Sequence, residues 1–298
     1  MTPHQHVFLG DRHDENARRT LWVVALTAAM MVGEITAGMA FNSMALLADG
    51  FHMATHAGAL AVSAIAYAFA RRNAHNPRFS FGTGKVGDLA GFASALILAV
   101  IALGIGVESA VRLFDPQPVA FTEATIVAVL GLAVNVASAL LLGGGHDHGH
   151  DHGHRRDHGH HHHHHDNNLR SAYVHVLADA LTSVLAIVAL LGGRHLGWVW
   201  LDPAMGIVGS VVIAAWAWTL LRDTAGVLLD TTDPQLAAEV RSEVEGPGDA
   251  SITDLHIWRI GPGAHAAIVS VTGPVSGEAI RARLAPVHEL AHLTVETR

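Results

Sequence analysis

The chain has 298 residues, half of them hydrophobic, and only 15% carry a formal charge, against about a quarter in ordinary soluble domains. Net charge is −8 with histidine neutral, and there is no cysteine. Disulfides, iron–sulfur clusters and thiolate metal sites are therefore excluded, and no block of Lys and Arg stands ready for nucleic acid.

Residues 1–20 form a polar arm rich in His, Asp and Arg, unlike a cleaved signal sequence, so the apolar segment after it is expected to stay in the mature chain. Six stretches then reach the length of about 20 apolar residues that a bilayer core demands. They are Leu21–Phe41, Met44–Ala70, Leu89–Phe114, Ala124–Leu142, Leu169–Leu191 and Pro203–Leu221. The expected fold is an α-helical membrane protein with a six-helix transmembrane domain at 21–221, interrupted by a His-rich cytoplasmic loop at 143–168. Basic residues set its orientation. Arg12, Arg18 and Arg19 lie in the arm, Arg71, Arg72, Arg78 and Lys85 in the second connection, Arg155 and Arg156 in the fourth, and Arg222 opens the tail. The odd-numbered connections are almost bare, which puts both termini in the cytoplasm.

Residues 222–298 read as a small cytoplasmic domain. "DPQLAAEVRSEVEG" is a helix capped by Asp233 with Pro234 at its first position. "SITDLHIWRIG" and "HAAIVSVTG" are strands around a Gly261–Gly263 turn. "SGEAIRARLA" is a helix capped by Ser276, and "HLTVET" is a closing strand. The order α-β-β-α-β suits a ferredoxin-like layer of helices on one face of a sheet.

An ionisable side chain at bilayer depth costs a few kcal/mol at least and normally faces a pathway or a partner. The second segment carries Asp49, His52 and His56 at steps of three and four, all on one helical face. The fifth repeats the device with His175 and Asp179. Packed together, the two faces bring His52, His56, His175 and Asp179 into one four-ligand site for a borderline divalent cation. With neutral imidazoles and one carboxylate, such a site holding M²⁺ is left at net +1. Asp49 is read as an acceptor that orients a ligand ring, or as an alternative ligand. Glu34 and Asn135 are read as helix-packing contacts, as are the small residues Gly104, Gly106, Gly206, Gly209 and Ser210.

The loop "GGGHDHGHDHGHRRDHGHHHHHHD" holds twelve of the 24 histidines. Its alternating His and Asp make a weak, multi-site metal binder, with His146, His148, His150, His152, His154 and His158 as capture residues. "HELAH" at 288–292 matches the zinc-protease pattern. Pro286 breaks the helix before it and too little chain follows for a remote third ligand, so it reads as a helix end entering a strand.

"SMALLADGFHMATHAGAL", "RFSFGTGKVGDLAGF" and "HVLADALTSVLAIVALL" resemble the second-segment, second-loop and fifth-segment signatures of the cation diffusion facilitator family. That resemblance implies a homodimeric exporter of divalent transition metals, not an enzyme, which exchanges metal for protons and sits in the bacterial inner membrane. Its transport site falls on His52, His56, His175 and Asp179. Zinc-transporting members usually place Asp where this chain has His56, and the pattern here is similar to the cobalt/nickel efflux (DmeF-like) branch. Co²⁺ or Ni²⁺ is thus the expected cargo. The alternatives are zinc export by the same machinery, or a membrane sensor or storage protein. Phe79 and Thr83 replace histidines of some bacterial members, so an interfacial loop metal site is not expected. His256 and His265 are the tail's candidates for a regulatory metal. Beyond the transported divalent ion and protons, no cofactor is expected.

Overall fold

The computed structural model describes the backbone of residues 13–143 and 164–298, with side chains over 25–55, 58, 61–138 and 180–298. Its helices are α1 His13–Ala40, α2 Met44–Arg72, α3 Val86–Phe114, α4 Phe121–Gly143, α5 His164–Leu196, α6 Leu201–Leu228, α7 Pro234–Glu245 and α8 Gly277–Arg283. The strands are β1 Ser251–Gly261, β2 Ala264–Thr272 and β3 Leu290–Thr297. Each of the six apolar segments is a long helix. Among the described residues α3, α6 and the Phe121–Ser138 part of α4 are long and apolar enough to cross a membrane, while Ala25–Ala40 and Ala180–Leu196 are shorter apolar stretches. Along α3, Leu96, Ile97, Val100, Leu103, Val107 and Val111 are all exposed. A continuous apolar stripe of this kind is satisfied by lipid or by another apolar surface, not by water.

The described residues divide into two compact units, one drawn from Met1–Ala57 and Val100–Ala214, the other from Gly58–Ala99 and Ala215–Arg298. In the first, the tight turn between α1 and α2 is closed by Asn42 at φ 56°, a left-handed conformation that asparagine tolerates. Ala37, Leu46, Ala124, Ala128 and Leu190 form a buried cluster that joins α1, α2, α4 and α5. Met44, Ala48 and Ile105 join α2 to α3. Small residues let α6 approach closely. A Cβ on Gly209 would lie 2.6 Å from that of Ala48, one on Gly206 2.8 Å from Met44 Cβ, and one on Gly106 2.9 Å from Ser210 Oγ. Gly104 differs from the other small residues: among the described residues nothing stands within 4 Å of its would-be Cβ.

In the second unit the tail has the expected α-β-β-α-β order. Asp233 caps α7, accepting from the Gln235 and Leu236 amides at 2.8 and 3.3 Å, and Ser276 caps α8. The sheet order is β1-β2-β3, antiparallel between the first pair and parallel between the second. Gly263, at φ 66°, turns β1 into β2. Leu236, Val240 and Val244 of α7 and Ile280 of α8 bury against Ile257, Val269 and Val271, so both helices cover one face of the sheet. The last helix is shorter than its sequence suggests. It stops at Arg283, and Pro286, which has no amide to donate, follows in a turn. His288 therefore lies in that turn and His292 on β3, so "HELAH" lacks the helical spacing of a protease site.

The connection between α2 and α3 packs on the sheet of the same unit. The Phe81 ring meets Trp258 and His292 edge-on, each at a centroid distance of 5.6 Å. Lys85 pairs with Asp230, and Arg259 approaches Asp88 at 3.9 Å. Thr83 donates to the Ala70 carbonyl at 2.9 Å. Phe79 packs edge-on against Phe69, so both residues that stand in place of histidines have structural contacts.

Candidate metal centre

The first turn of α2 is held by a residue far along the chain. Asp202, fully buried at the start of α6, accepts from Ser43 Oγ at 2.6 Å and from the Met44 and Ala45 amides at 2.8 and 3.2 Å. Ser43 Oγ in turn accepts from the Leu46 amide at 3.1 Å. The free amides of a helix start and its positive dipole end both favour a carboxylate there. Sequence reasoning passed over Asp202. The available signal was an Asp directly before Pro203 at the head of an apolar span, which reads as a cap for its own helix and instead caps α2.

One turn further on, α2 turns its polar face inward. Asp49 and His52 are both nearly inaccessible, at 4% and 3% exposure. Ser183 of α5 donates to Asp49 Oδ2 at 2.8 Å, which ties the acidic face of α2 to α5. Asp49 and His52 line a cavity of about 30 Å³ with Thr182 and Ala186 of α5 and Met205 and Gly209 of α6. That volume suits one ion or a water or two, and its walls are otherwise apolar, so a cation there would be drawn to the few polar atoms available.

The backbone fixes the direction of the two helices at this contact. Leu46, one turn before Asp49, belongs to the same buried cluster as Leu190, two turns beyond Ser183. Advancing along α2 thus means retreating along α5, and the pair is antiparallel. Asp179 and His175 lie on α5 one and two turns before Ser183, and His52 and His56 lie on α2 one and two turns beyond Asp49. The side chains of His56, His175 and Asp179 lie outside the described residues, as do His146, His148, His150, His152, His154 and His158. Of the expected site residues, the structure brings together Asp49 and His52.

The tail's two candidate histidines are not brought together. His256 on β1 stands opposite Ile268, whereas His265 stands on β2 three residues away. An odd offset along a strand puts them on opposite faces of the sheet, roughly 10 Å apart, so they cannot share a metal ion. His256 pairs with Asp254 at 3.0 Å, and His75 is exposed.

Known proteins point to the same chemistry. Residues 20–229 match the family model described as the cation efflux transmembrane domain. The chain is 33% identical over 249 residues to the zinc transporter ZitB of Pectobacterium atrosepticum, an overlap that takes in 83% of this chain and 72% of that protein. It is 30% identical over 299 residues to the metal cation efflux system protein CzcD of Cupriavidus metallidurans, with 96% and 89% covered. Similarity to the cadmium, cobalt and zinc/H(+)-K(+) antiporter of Bacillus subtilis is 29% over 263 residues, with 87% and 79% covered.

Proposed function

Because this chain belongs to the cation diffusion facilitator family, we propose that it exports divalent transition-metal ions from the cytoplasm, with Co²⁺ and Ni²⁺ preferred, in exchange for protons. The family's activity is cation efflux across a membrane, not catalysis. The six long helices α1–α6 form the membrane domain, the arm and tail face the cytoplasm, and two copies of the chain work as a homodimer in a bacterial inner membrane.

The Asp49–Ser183 hydrogen bond carries the site assignment. With α2 and α5 antiparallel and pinned at this point, one further turn along each brings His52 level with Asp179, and a second brings His56 level with His175. These four supply three nitrogens and one oxygen, a set suited to tetrahedral binding of a borderline dication. Asp49, engaged by Ser183, holds the ligand helix in place. Imidazole ligates only when neutral and titrates near physiological pH. Cytoplasmic metal therefore displaces protons as it binds. Once the site opens to the other side, protons return to the imidazoles and their charge drives the metal off. The His-rich loop at 143–168 captures cytoplasmic metal, so its deletion weakens uptake from low concentrations and leaves transport intact.

Zinc export by the same site is the second reading, favoured by the relatives named as zinc transporters. Purified protein in proteoliposomes, offered Co²⁺, Ni²⁺, Zn²⁺ and Mn²⁺ in parallel under an imposed pH gradient, tests both. We expect Co²⁺ and Ni²⁺ flux that follows the gradient and disappears in His175→Ala and Asp179→Ala. Flux of Zn²⁺ alone would establish the second reading, and flux indifferent to the gradient would end proton coupling.

A further inference from the structure

Glu34, in the C-terminal part of α1, is fully buried, and neither of its carboxyl oxygens has a hydrogen-bond partner among the described residues. This is no ordinary packing contact, because a buried ionised carboxylate without partners costs far more than helix packing returns. Its surroundings limit what could neutralise it. On α4, Gly131 comes so close that a Cβ there would overlap Glu34 Oε1. On α2, a Cβ on Gly50 would lie 3.1 Å from Glu34 Cβ. The α4 backbone thus stands against Oε1, and the α2 backbone against the base of the side chain. On the same helix as Gly131 and one turn beyond it, Asn135 Nδ2 is likewise without a partner among the described residues.

We propose that Glu34 is a proton-binding site of the transport cycle, separate from the metal ligands and filled only by H⁺. A proton, unlike a metal ion, needs no room beside Oε1, where the α4 backbone already stands. Among the described groups the ionisable neighbour is Asp49 on α2, and Gly131 and Asn135 on α4 do not titrate. Asp49 lies on the face of α2 that leads to His52, so a dication bound at the centre adds positive charge near Glu34. The O–H bond of the neutral acid then breaks, its electron pair stays on the carboxylate, and the proton passes to water. Loss of the metal reverses the step.

This rests on the antiport reading and adds to it a proton that the ligand histidines do not supply. Protons released on metal binding to the purified full chain, measured by calorimetry in buffers of different ionisation enthalpy, provide the test, with Co²⁺ as the probe. Glu34→Gln keeps the shape of the side chain. It should bind Co²⁺ with unchanged stoichiometry while releasing about one proton fewer per ion than wild type. Equal proton release would overturn the assignment to Glu34. If wild type itself released none, the antiport reading would fail as well, and the two failures are thereby separable. Should Glu34→Gln not fold, infrared difference spectra of wild type and Glu34→Asp decide the matter. A protonated-carboxyl band that metal abolishes, and that moves in the Asp variant, supports the proposal; a band absent or unchanged by metal refutes it.

Discussion

Ser183 on α5 and Asp49 on α2 are joined by a 2.8 Å hydrogen bond buried between two helices. The bond holds in register the two helices that carry the proposed ligands. Hydrogen bonds to a charged group are worth about 1.5–3 kcal/mol, and loss of a group that orients a metal ligand typically costs 10- to 100-fold in affinity. Ser183→Ala should therefore weaken metal binding by about tenfold with the order of metal preference preserved, as measured by calorimetric titration. A change in preference with affinity intact would assign Ser183 to the ligand set instead.

Asp202 makes the next testable contact. Its carboxylate accepts three hydrogen bonds from Ser43, Met44 and Ala45. Asparagine keeps the shape but turns one acceptor into an N–H that faces other donors. Asp202→Asn should cost about 2 kcal/mol and lower the thermal unfolding midpoint in detergent. Unchanged unfolding would mean that α2 does not depend on this cap.

In the tail, Arg283 holds Asp249 through two parallel bonds, Nη1 to Oδ1 at 2.8 Å and Nη2 to Oδ2 at 2.6 Å. The guanidinium keeps the Asp249 carboxyl below its ordinary value of 3.8. A carboxyl lowered on folding contributes its full stabilisation above the unfolded value and loses it as pH falls through the folded one. Asp249→Asn should therefore be less stable than wild type at neutral pH, and the difference should shrink as the pH drops below 3.8. Unfolding followed across that range checks the sign. A difference that is constant with pH would assign the effect to packing.

What the sequence revealed and what it hid follow from the range of the interactions. Elements written in local chemistry were readable in advance: the Asp233 and Ser276 caps, the Gly263 turn, the α-β-β-α-β element order of the tail, and the polar face of α2 with Asp49 and His52. The contacts that matter most at the centre are long-range. Nothing near Asp202 shows that it caps a helix more than 150 residues earlier, and nothing near Ser183 shows that it meets Asp49. Glu34 was visible as a polar residue in an apolar run, but only the closeness of Gly131 on another helix shows how little room its carboxyl has. Gly104 differs in the opposite direction, since no described residue stands beside its would-be Cβ. The end of α8 was misjudged because helical spacing was carried past Leu284 toward a proline that cannot extend it.

His56 is the residue on which the choice of metal turns. If it joins His52, His175 and Asp179, the centre has three nitrogen donors and one oxygen, and it stays at net +1 once a dication is bound. His56→Asp makes it two and two and brings the loaded centre to neutrality. Imidazole suits Zn²⁺, Ni²⁺ and Co²⁺ alike, whereas carboxylate favours harder ions. The added carboxylate should therefore admit Mn²⁺ more readily, and because zinc-transporting members of the family usually place Asp at this position, the variant should move from Co²⁺ and Ni²⁺ toward Zn²⁺. In competition uptake into proteoliposomes, the ratio of Co²⁺ to Zn²⁺ flux should fall by about tenfold in His56→Asp, the size of a 1.4 kcal/mol change at one donor. A side chain outside the coordination sphere would leave that ratio unmoved, so a constant ratio would remove His56 from the site and the basis for preferring Co²⁺ and Ni²⁺ along with it.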